Sequence, residues 1–479
     1  MMALELNQRI DQWTHILTGR SSSPPLRWMY PGDRRRLMAY GILDWYEAGA
    51  SNKAISDLPL SYQKNWIDTG IVAYLGGKLA ELTLTGFKAQ LADDDKGSQA
   101  LAAWVEESEL DLQLGEIERL ASIYGDGVAR VAWDDARGIP VVQARHPGMY
   151  YANNAEKTSV VLVAHNAYDQ QFLDVEWYYL DGVRVFMVQQ QIKVSDLTGL
   201  GNEKPLVDRL TAAPVELACT ALPIIHVPNR PGADDRWGES DFSRLLALID
   251  SWHKSACTDA RIISERMSSP TRFVTSQTNP QTRVAADGTR RTQFEYEPGV
   301  MYWLGETGSV TQLDNDKALD LVIKYDGVTW DKILKFIGLT RAGIGETGET
   351  GGLREFQVKL MYGPTEQTIL RRRRARLPRW RNALRTALEL WQGMDAGGYK
   401  KRFGDARLED AQLSCGPLMP EDVESHMTML ATGRAQGGLP RKYYVTEIMK
   451  ALNVAGNVEE AMKLLEEEDR NMPGISPLA

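Results

Sequence analysis

The order of segments within residues 238–398 constrains the fold more than any short motif. We predict a long helix, a strand-rich insert, a second helix, a glycine-rich loop and a very long arginine-rich helix. Ser240 and Asp241 would supply an N-cap and an acidic first turn for a helix over 240–267, about 42 Å long, before Pro270 ends the apolar pattern. No common enzyme scaffold is built in this order, whereas a ring-shaped channel lined by helices could be.

The insert over 270–315 contains several short β-prone runs and an Asp287-Gly288 step, which is typical of a type I′ hairpin turn. A second hairpin is predicted at Asp181-Gly182 for the same reason. The insert could fold as a small knob between two helices, the second of which is predicted over 316–337. Its turn and basic residues include Arg283, Asp287, Gly288, Arg290 and Arg291.

The loop over 338–352 formally matches a G-x-G-x-x-G pattern that begins at Gly343. A dinucleotide site needs a strand before this pattern, whereas a helix is predicted here, and Glu346 and Glu349 would repel a pyrophosphate. We therefore predict a mobile loop that joins two helices. The candidate residues of this loop are Gly343, Ile344, Gly345, Glu346, Thr347, Gly348 and Glu349.

The following helix is predicted over 353–391, softened at Pro364 and Pro378. It carries a block of basic residues without any acidic residue over 368–388: Arg371, Arg372, Arg373, Arg374, Arg376, Arg379, Arg381 and Arg385. One interpretation is contact with nucleic-acid phosphates. The other, which we favour for arginines spread around a whole helix, is pairing with acids on neighbouring subunits.

The remaining segments predict an α+β chain that is predominantly helical. We predict helices at 4–17, 42–46, 66–82 and 99–122, strands from residue 127 to 228, a strand at 399–403, and short helices within 419–479.

Composition narrows the class of protein. A net charge of −9 argues against a sequence-specific DNA binder, but an acidic channel could let DNA slide without holding its phosphates. The three cysteines, Cys219, Cys257 and Cys415, predict neither a disulfide framework nor a zinc site. We expect no metal, no cofactor, no catalytic constellation, no signal peptide and no membrane span, and hence a chain made in the cytosol that is not an enzyme.

Three passages stand out together: Tyr124-Gly125-Asp126-Gly127 with Arg145-His146-Pro147, the helix end at Ser269-Pro270, and the glycine loop before the long helix. They resemble passages in the portal proteins of tailed bacteriophages, and the early passages 65–68 and 84–87 are similar to portals of actinobacterial siphophages. One departure is Glu349-Thr350-Gly351-Gly352, where many relatives show a Ser-Gly-Glu-Ala-like string. The resemblance implies a portal fold with a wing (1–237 and 353–418), a stem (238–269 and 316–337), a clip (270–315), a tunnel loop (338–352) and a crown (419–479).

This resemblance also implies a function. A ring, typically of twelve subunits, would occupy one capsid vertex of the virion, after assembly in the host cytoplasm. Double-stranded DNA would be packaged and ejected through it, touching the tunnel loop non-specifically. The clip would dock the terminase large subunit and later a head–tail connector, and its candidate docking residues are Arg283, Asp287, Gly288, Arg290 and Arg291. The ring would meet the major capsid and scaffolding proteins but no membrane. Two alternatives remain: a virion or secretion ring or adaptor without DNA passage, and a nucleic-acid-processing enzyme that binds through the arginine-rich helix.

Overall fold

A computed structural model describes part of the 479-residue chain and divides it into two compact units, Met1–Cys415 and Gly416–Ala479. The described residues are 31–55, 66–91, 95–153, 156–166, 168–169, 171–193, 206–230, 237–259, 261, 272–275, 283–284, 290–291, 301–302, 309–312, 316–346, 355–404, 411–418, 432, 443–446 and 462–463. In these residues no helix has the length and apolar character that a membrane crossing requires.

Helices dominate the start of the first unit. They are α1 (Pro31–Glu47), α2 (Ile71–Leu84), α3 (Asp95–Glu107) and α4 (Leu110–Tyr124), with a 3₁₀ turn at Ser51–Ala54. The single helix predicted over 99–122 is wrong, because Glu109 adopts a left-handed conformation with φ of 53° and separates α3 from α4. The predicted helix over 4–17 lies outside the described residues.

Two antiparallel sheets follow, as the period-two pattern predicted. Their strands are β2 (Asp126–Asp134), β3 (Ile139–Arg145), β4 (Tyr150–Ala152), β5 (Ser159–His165), β6 (Phe172–Asp181), β7 (Arg184–Lys193), β8 (Val215–Leu217) and β9 (Ile224–Pro228). The first sheet has the order β3-β2-β9 and the second runs from β4 to β8 in sequence order. A separate strand, β1 (Lys88–Leu91), precedes α3.

The predicted hairpin at Asp181 is confirmed, but its turn lies one residue later than expected. Asp181 pairs with Arg184, so Gly182 and Val183 form the loop. Gly182 has a φ of 63° and Val183 has no positive φ. A glycine at the first central position with this conformation matches a type II′ turn, because type I′ needs positive φ at both central positions.

The insert contains the short strands β10 (Arg272–Thr275), β11 (Arg283–Val284), β12 (Arg290–Arg291), β13 (Met301–Tyr302) and β14 (Ser309–Gln312). Strands β11 and β12 pair in antiparallel fashion, with Val284 opposite Arg290. The type I′ turn predicted at Asp287-Gly288 lies outside the described residues.

The two helices that flank the insert differ in their agreement with the sequence pattern. Helix α6 (Asp316–Ile337) has the predicted bounds. The helix expected to begin at Ser240 begins later, as α5 (Leu246–Trp252), and continues as a π-helical segment, His253–Asp259. Ser240 and Asp241 do not cap it, because Ser240 bonds to the Ile123 carbonyl and Asp241 is buried against Arg372.

The very long helix is α7 (Glu355–Met394), which continues through both prolines, and it is followed by α8 (Ala396–Phe403). The strand predicted at 399–403 is wrong. Asp395 caps α8 by accepting from the Gly398 amide at 2.9 Å, and Tyr399 and Phe403 lie one turn apart on its buried face. Strand β15 (Ala411–Ser414) then pairs with β1.

Tryptophan side chains mark the main core, which lies where α7 crosses the first sheet and α3. Trp104, Trp380 and Trp391 are all buried there. The Trp104 indole donates to the Pro140 carbonyl at 3.0 Å, which satisfies its polar atom. Helix α7 is thus held along much of its length by its own chain.

In the second unit the described residues are few. Residues 443–446 are helical, within one of the predicted short helices, and Val445 is buried. The other predicted helices of 419–479 lie largely outside the described residues.

Candidate functional site

The arginine block of α7 is the first candidate site, and three of its arginines are buried: Arg372, Arg373 and Arg376. Arg372 donates to Ser122 Oγ at 3.0 Å and pairs with the fully buried carboxylate of Asp241. Asp241 also pairs with Arg230, with 3.0 Å between Oδ1 and Nη2. The segment before α5 is thereby tied to α7 and α4.

Arg376 makes the most complete set of contacts. Its Nε lies 2.5 Å from Oε1 of Glu118, a residue with no exposed surface. Its Nη atoms donate to the Pro228 carbonyl and, at 2.8 Å, to Asn229 Oδ1. A buried ion pair of this kind is costly to break, because removing one partner leaves the other charge in a low-dielectric interior.

Arg373 has another task, because it binds the end of α2. It donates to the carbonyl oxygens of Leu82, Thr83 and Thr85 at 2.9–3.0 Å. The last carbonyls of a helix have no partner within the helix, so a cation at this end both satisfies them and interacts favourably with the helix dipole.

These contacts correct the predicted role of part of the block. Arg372, Arg373 and Arg376 hold their own chain together, and Arg379 likewise donates to the His226 carbonyl at 2.9 Å. The sequence could not show this, because their partners lie far away along the chain. Arg371 and Arg374 are exposed, Arg381 and Arg385 are half-buried, and for these four the predicted interface or phosphate role stays a prediction.

A second cluster of buried polar groups surrounds Asp126. The buried Asp126 carboxylate accepts from the Tyr40 hydroxyl at 2.6 Å and from the Gly238 amide at 2.8 Å, and its Oδ1 lies 2.6 Å from His226 Nε2. Gly125 has a φ of 92°, and its carbonyl accepts from the Asn229 amide at 2.7 Å. The Tyr-Gly-Asp-Gly passage is therefore a junction of four chain segments.

The tautomer of His226 follows from its neighbours. Lys157 Nζ lies 2.8 Å from Nδ1, and since an ammonium can only donate, Nδ1 must accept and Nε2 must carry the proton given to Asp126. Burial lowers the pKa of His226 below its usual 6.5, Asp126 opposes that shift, and Lys157 and Arg379 add to it. His226 is thus held in its neutral form.

We expect the stability of the protein to fall in mild acid. Because the folded-state pKa of His226 lies below the unfolded value of about 6.5, the unfolded chain takes up the proton first as the pH falls. The stabilisation is complete above pH 6.5 and is lost below it, with a slope of up to about 1.4 kcal/mol per pH unit for one proton. Urea denaturation between pH 7.5 and 5.5 measures this slope.

The matched variant is His226→Gln, whose amide can still donate to Asp126 and accept from Lys157. It should lower stability at pH 7.5 but flatten the slope. His253, whose pKa burial also lowers, should retain a smaller pH dependence in this variant. Equal slopes in the wild type and the variant would contradict the assignment.

The turn before the glycine loop is better ordered than the sequence predicted. Gly338, with a φ of 79°, ends α6, and the amides of Gly338 and Leu339 donate to the carbonyls of Lys335 and Leu334. This pattern is a Schellman motif. A 3₁₀ turn, Ala342–Ile344, follows, in which Gly343 and Ile344 are buried.

Gly343 provides close packing here, which corrects the expectation that it gives flexibility. A Cβ at this position would lie 2.4 Å from Thr365 Oγ1 on α7. The same hydroxyl accepts from the Thr340 amide and lies 3.0 Å from the Thr340 hydroxyl. Residues 347–349 of the predicted loop, Thr347, Gly348 and Glu349, lie outside the described residues, and their contact with DNA stays a prediction.

Thr365→Val should lower the free energy of unfolding by about 1–3 kcal/mol, because the isosteric side chain leaves the Thr340 amide without its acceptor. Thr368→Val is the control on the same helix, since the Thr368 side chain has no hydrogen bond in the described part of the chain. It should change stability by less than about 0.5 kcal/mol. Chemical denaturation measures both, and equal losses would contradict the role of Thr365.

The turn is also fastened to α6 through its surface. Arg341 Nε donates to Asp331 Oδ1 at 2.6 Å, and the Trp330 indole donates to Glu346 Oε2 at 2.9 Å. The Trp330 ring packs against Trp252 of α5 at a centroid distance of 5.6 Å. Glu346 is exposed but accepts the hydrogen bond from Trp330, and its repulsion of DNA stays a prediction.

Helix α6 has a second apolar face that sequence reasoning missed. Ile333, Leu334 and Ile337 are buried against the rest of the chain. Other large apolar side chains of α6 are at least half exposed: Ile323 on the side of the buried residues, and, on the opposite face, Leu321, Tyr325, Val328 and Phe336. The spacing of these last four at i, i+4, i+7 and i+15 places them on one stripe, a signal that was present in the sequence.

For the predicted docking residues the structure gives position only. Arg283 lies in β11, and Arg290 and Arg291 form β12, whereas Asp287 and Gly288 lie outside the described residues. The described residues contain no group of histidine, cysteine or carboxylate side chains arranged to hold a metal ion.

No protein-family model matches the chain, and no curated protein matches it. Among solved structures it is similar to a chain of the virion of a native gene transfer agent particle, at 11% identity and a TM-score of 0.40, over 79% of this chain and 89% of that one. A chain from the neck of the empty particle, computed with C6 symmetry, gives 12% identity and a TM-score of 0.38, over 79% and 89% of the two chains. A chain from the neck of the native particle, computed with C12 symmetry, gives 10% identity and 0.37, over 81% and 92%. The chain is thus similar to components of phage-like particles, but at these scores the likeness carries no functional conclusion.

Proposed function

We propose that this chain is the portal protein of a tailed phage-like particle, a ring through which double-stranded DNA enters and leaves the capsid. The observation that carries the proposal is the second apolar face of α6. A helix that buries one face in its own chain and exposes large apolar side chains on the other needs a further partner. Neighbouring copies of the same chain, arranged head to tail and closed into a ring, supply that partner.

The arrangement of charge fits a conduit for DNA. Three arginines of the basic block are buried and bind groups of their own chain, which leaves fewer cations to hold phosphates. With a net charge of −9 for each subunit, a channel wall would let DNA slide. In this proposal twelve copies form the ring, residues 238–269 and 316–337 form the stem, 270–315 dock the terminase large subunit and later the connector, and 338–352 face the DNA.

The proposed ring further contacts the major capsid and scaffolding proteins at one vertex of the virion, after assembly in the host cytoplasm. The chain itself performs no bond-making chemistry in this scheme, and the partner motor spends the ATP. A ring or adaptor without DNA passage would share the exposed stripe of α6. The two functions therefore have to be separated by DNA passage and not by assembly alone.

Electron microscopy and mass determination of the purified chain test assembly. We expect closed rings with a central opening and the mass of about twelve copies of the 53.6 kDa chain. Rings seated in a solid-state pore should then pass duplex DNA in single-molecule current recordings. Closed rings that never pass duplex DNA would favour the adaptor alternative and overturn the portal proposal.

A further inference from the structure

A basic cleft of about 600 Å³ opens where the end of α6 meets α7. Its charged and aromatic lining consists of Arg230, Lys335, Phe336, Arg371, Arg372 and Arg376. Asp241 pairs with both Arg372 and Arg230, and Glu118 pairs with Arg376, so two carboxylates offset only part of the charge of these three arginines. Lys335 and Arg371 are exposed and have no carboxylate partner in the described part of the chain. The five cations of the cleft and the two carboxylates paired with them leave a net charge of +3 beside an exposed ring, Phe336.

An acidic corner lies at the junction of α3 and α4. Glu106, Glu109 and Asp111 are exposed there, and none of them has a cationic partner among the described residues. Leu112 beside them is 65% exposed. The acidic corner and the cleft rim are therefore alike in one respect. Each places ionic groups that have no partner among the described residues beside one large apolar side chain, and the two surfaces carry opposite charges.

The two surfaces cannot meet within one chain. Helix α4 spans the distance between them, because Ser122 near its C-terminal end accepts a hydrogen bond from Arg372 of the cleft, whereas Leu110 begins the helix at the acidic corner. Twelve residues of α-helix separate these points by roughly 18 Å. A contact between the two surfaces must therefore join different copies of the chain.

We propose that the acidic corner of one copy docks into the basic cleft of the next copy. The contact is heterologous, because two different surfaces meet, and repetition of such a contact generates a ring when the rotation closes. Carboxylates of Glu106 and Asp111 would approach Lys335 and Arg371, with Leu112 against Phe336. Opposite charges that face each other across an interface set register and exclude wrong partners, which a ring of identical subunits requires. This inference rests on the proposed ring and identifies its lateral contact.

A nucleic-acid phosphate is the competing occupant of the cleft. It is disfavoured because Asp241 and Glu118 reduce the five cations of the cleft to a net charge of +3 at one small site, whereas binding a duplex takes phosphate contacts along its length. Phe336 also has no role in a phosphate contact, while Leu112 of a second copy would cover it.

Zero-length crosslinking of the purified full-length chain tests the contact directly. A carbodiimide joins a lysine amine to a carboxylate only when they touch, so Lys335 should be linked to Glu106, Glu109 or Asp111. The linked peptides should be found in the dimer and larger bands by mass spectrometry and be absent from the monomer band. Their absence from oligomers in which other lysines are crosslinked would overturn the proposal.

A charge swap provides the second test, with light scattering and electron microscopy as readouts. Lys335→Glu with Arg371→Glu should reduce rings to monomers or small oligomers, as should Glu106→Lys with Asp111→Lys. The chain that carries all four changes should regain rings, because the pairs are restored with their signs exchanged. Lys53→Glu with Lys193→Glu, at exposed lysines outside both surfaces, is the matched control and should leave rings intact.

The outcomes separate this contact from the proposed function. Rings that resist both reversals, a four-fold variant no better than its parents, or a wild-type chain that stays monomeric would overturn the contact. Intact rings of the cleft variant with lost duplex DNA binding would assign the cleft to phosphate and overturn it too. Rings that respond to the swap as expected but never pass duplex DNA would support the contact and reject the portal function.

Discussion

Arg376→Met should lower the free energy of unfolding by about 3–5 kcal/mol, the largest loss we expect from any single side-chain replacement in α7. Arg376 is 2% exposed and is the ionic partner of the fully buried Glu118. Methionine fills most of the volume but leaves the Glu118 carboxylate without a counter-ion and removes the donors to Pro228 and Asn229. Denaturant unfolding of the purified variant measures the loss.

Two further variants isolate the cause. Arg374→Met, at an exposed position two residues away with no ionic partner in the described residues, should change stability by less than about 0.5 kcal/mol. Arg376→Met combined with Glu118→Leu should recover part of the loss, because an apolar pair replaces a buried lone charge. A loss at Arg376 no larger than that at Arg374 would show that the ion pair does not stabilise the fold.

Gly238→Ala should destabilise the chain by about 3 kcal/mol or more, through overpacking that no side-chain rotation relieves. A Cβ at Gly238 would lie 1.9 Å from the Gly125 carbonyl oxygen and 2.4 Å from the Asn229 amide. Both are backbone atoms, held by the bond from Asn229 N to Gly125 O. Relief would thus require the junction around Asp126 to open. Thermal and denaturant unfolding measure the effect.

Gly77→Ala is the matched control. Gly77 lies within α2, and its added Cβ would meet no atom within 4 Å. Alanine in a helix interior is more favourable than glycine by about 0.5–1 kcal/mol, so this variant should be stabilised. Similar losses in both variants would mean that the close approach at Gly238 is not what opposes a side chain there.

Elements with a complete local signal were predictable from the sequence. The bounds of α6 followed from its acidic start, its apolar period and the glycine after Ile337. The hairpin at Asp181 followed from two alternating runs around a turn step, although the position of the turn differed by one residue. In each case the residues that decide the structure are close neighbours in the chain, so their preferences can be read directly.

Predictions failed where a distant partner outweighed the local signal. Ser240 and Asp241 have the chemistry of a helix cap, but Ile123 and Arg372 bind them and α5 begins later. A strand is predicted at 399–403, yet Asp395 caps this run and the core buries Tyr399 and Phe403 on one face of a helix. In both cases the buried contacts with distant residues outweigh the local preference of the sequence.

The same division applies to the candidate sites. The sequence by itself determined that arginines concentrate on one long helix, that a glycine-rich turn precedes it, and that the chain as a whole is acidic. Only the tertiary structure decided which basic residues are buried against partners in their own chain, namely Arg372, Arg373 and Arg376. Lys335 and Arg371 stay exposed beside them. The physical reason is that a charge acts over a few ångströms in space, and helix packing brings residues together that are more than a hundred positions apart in the chain.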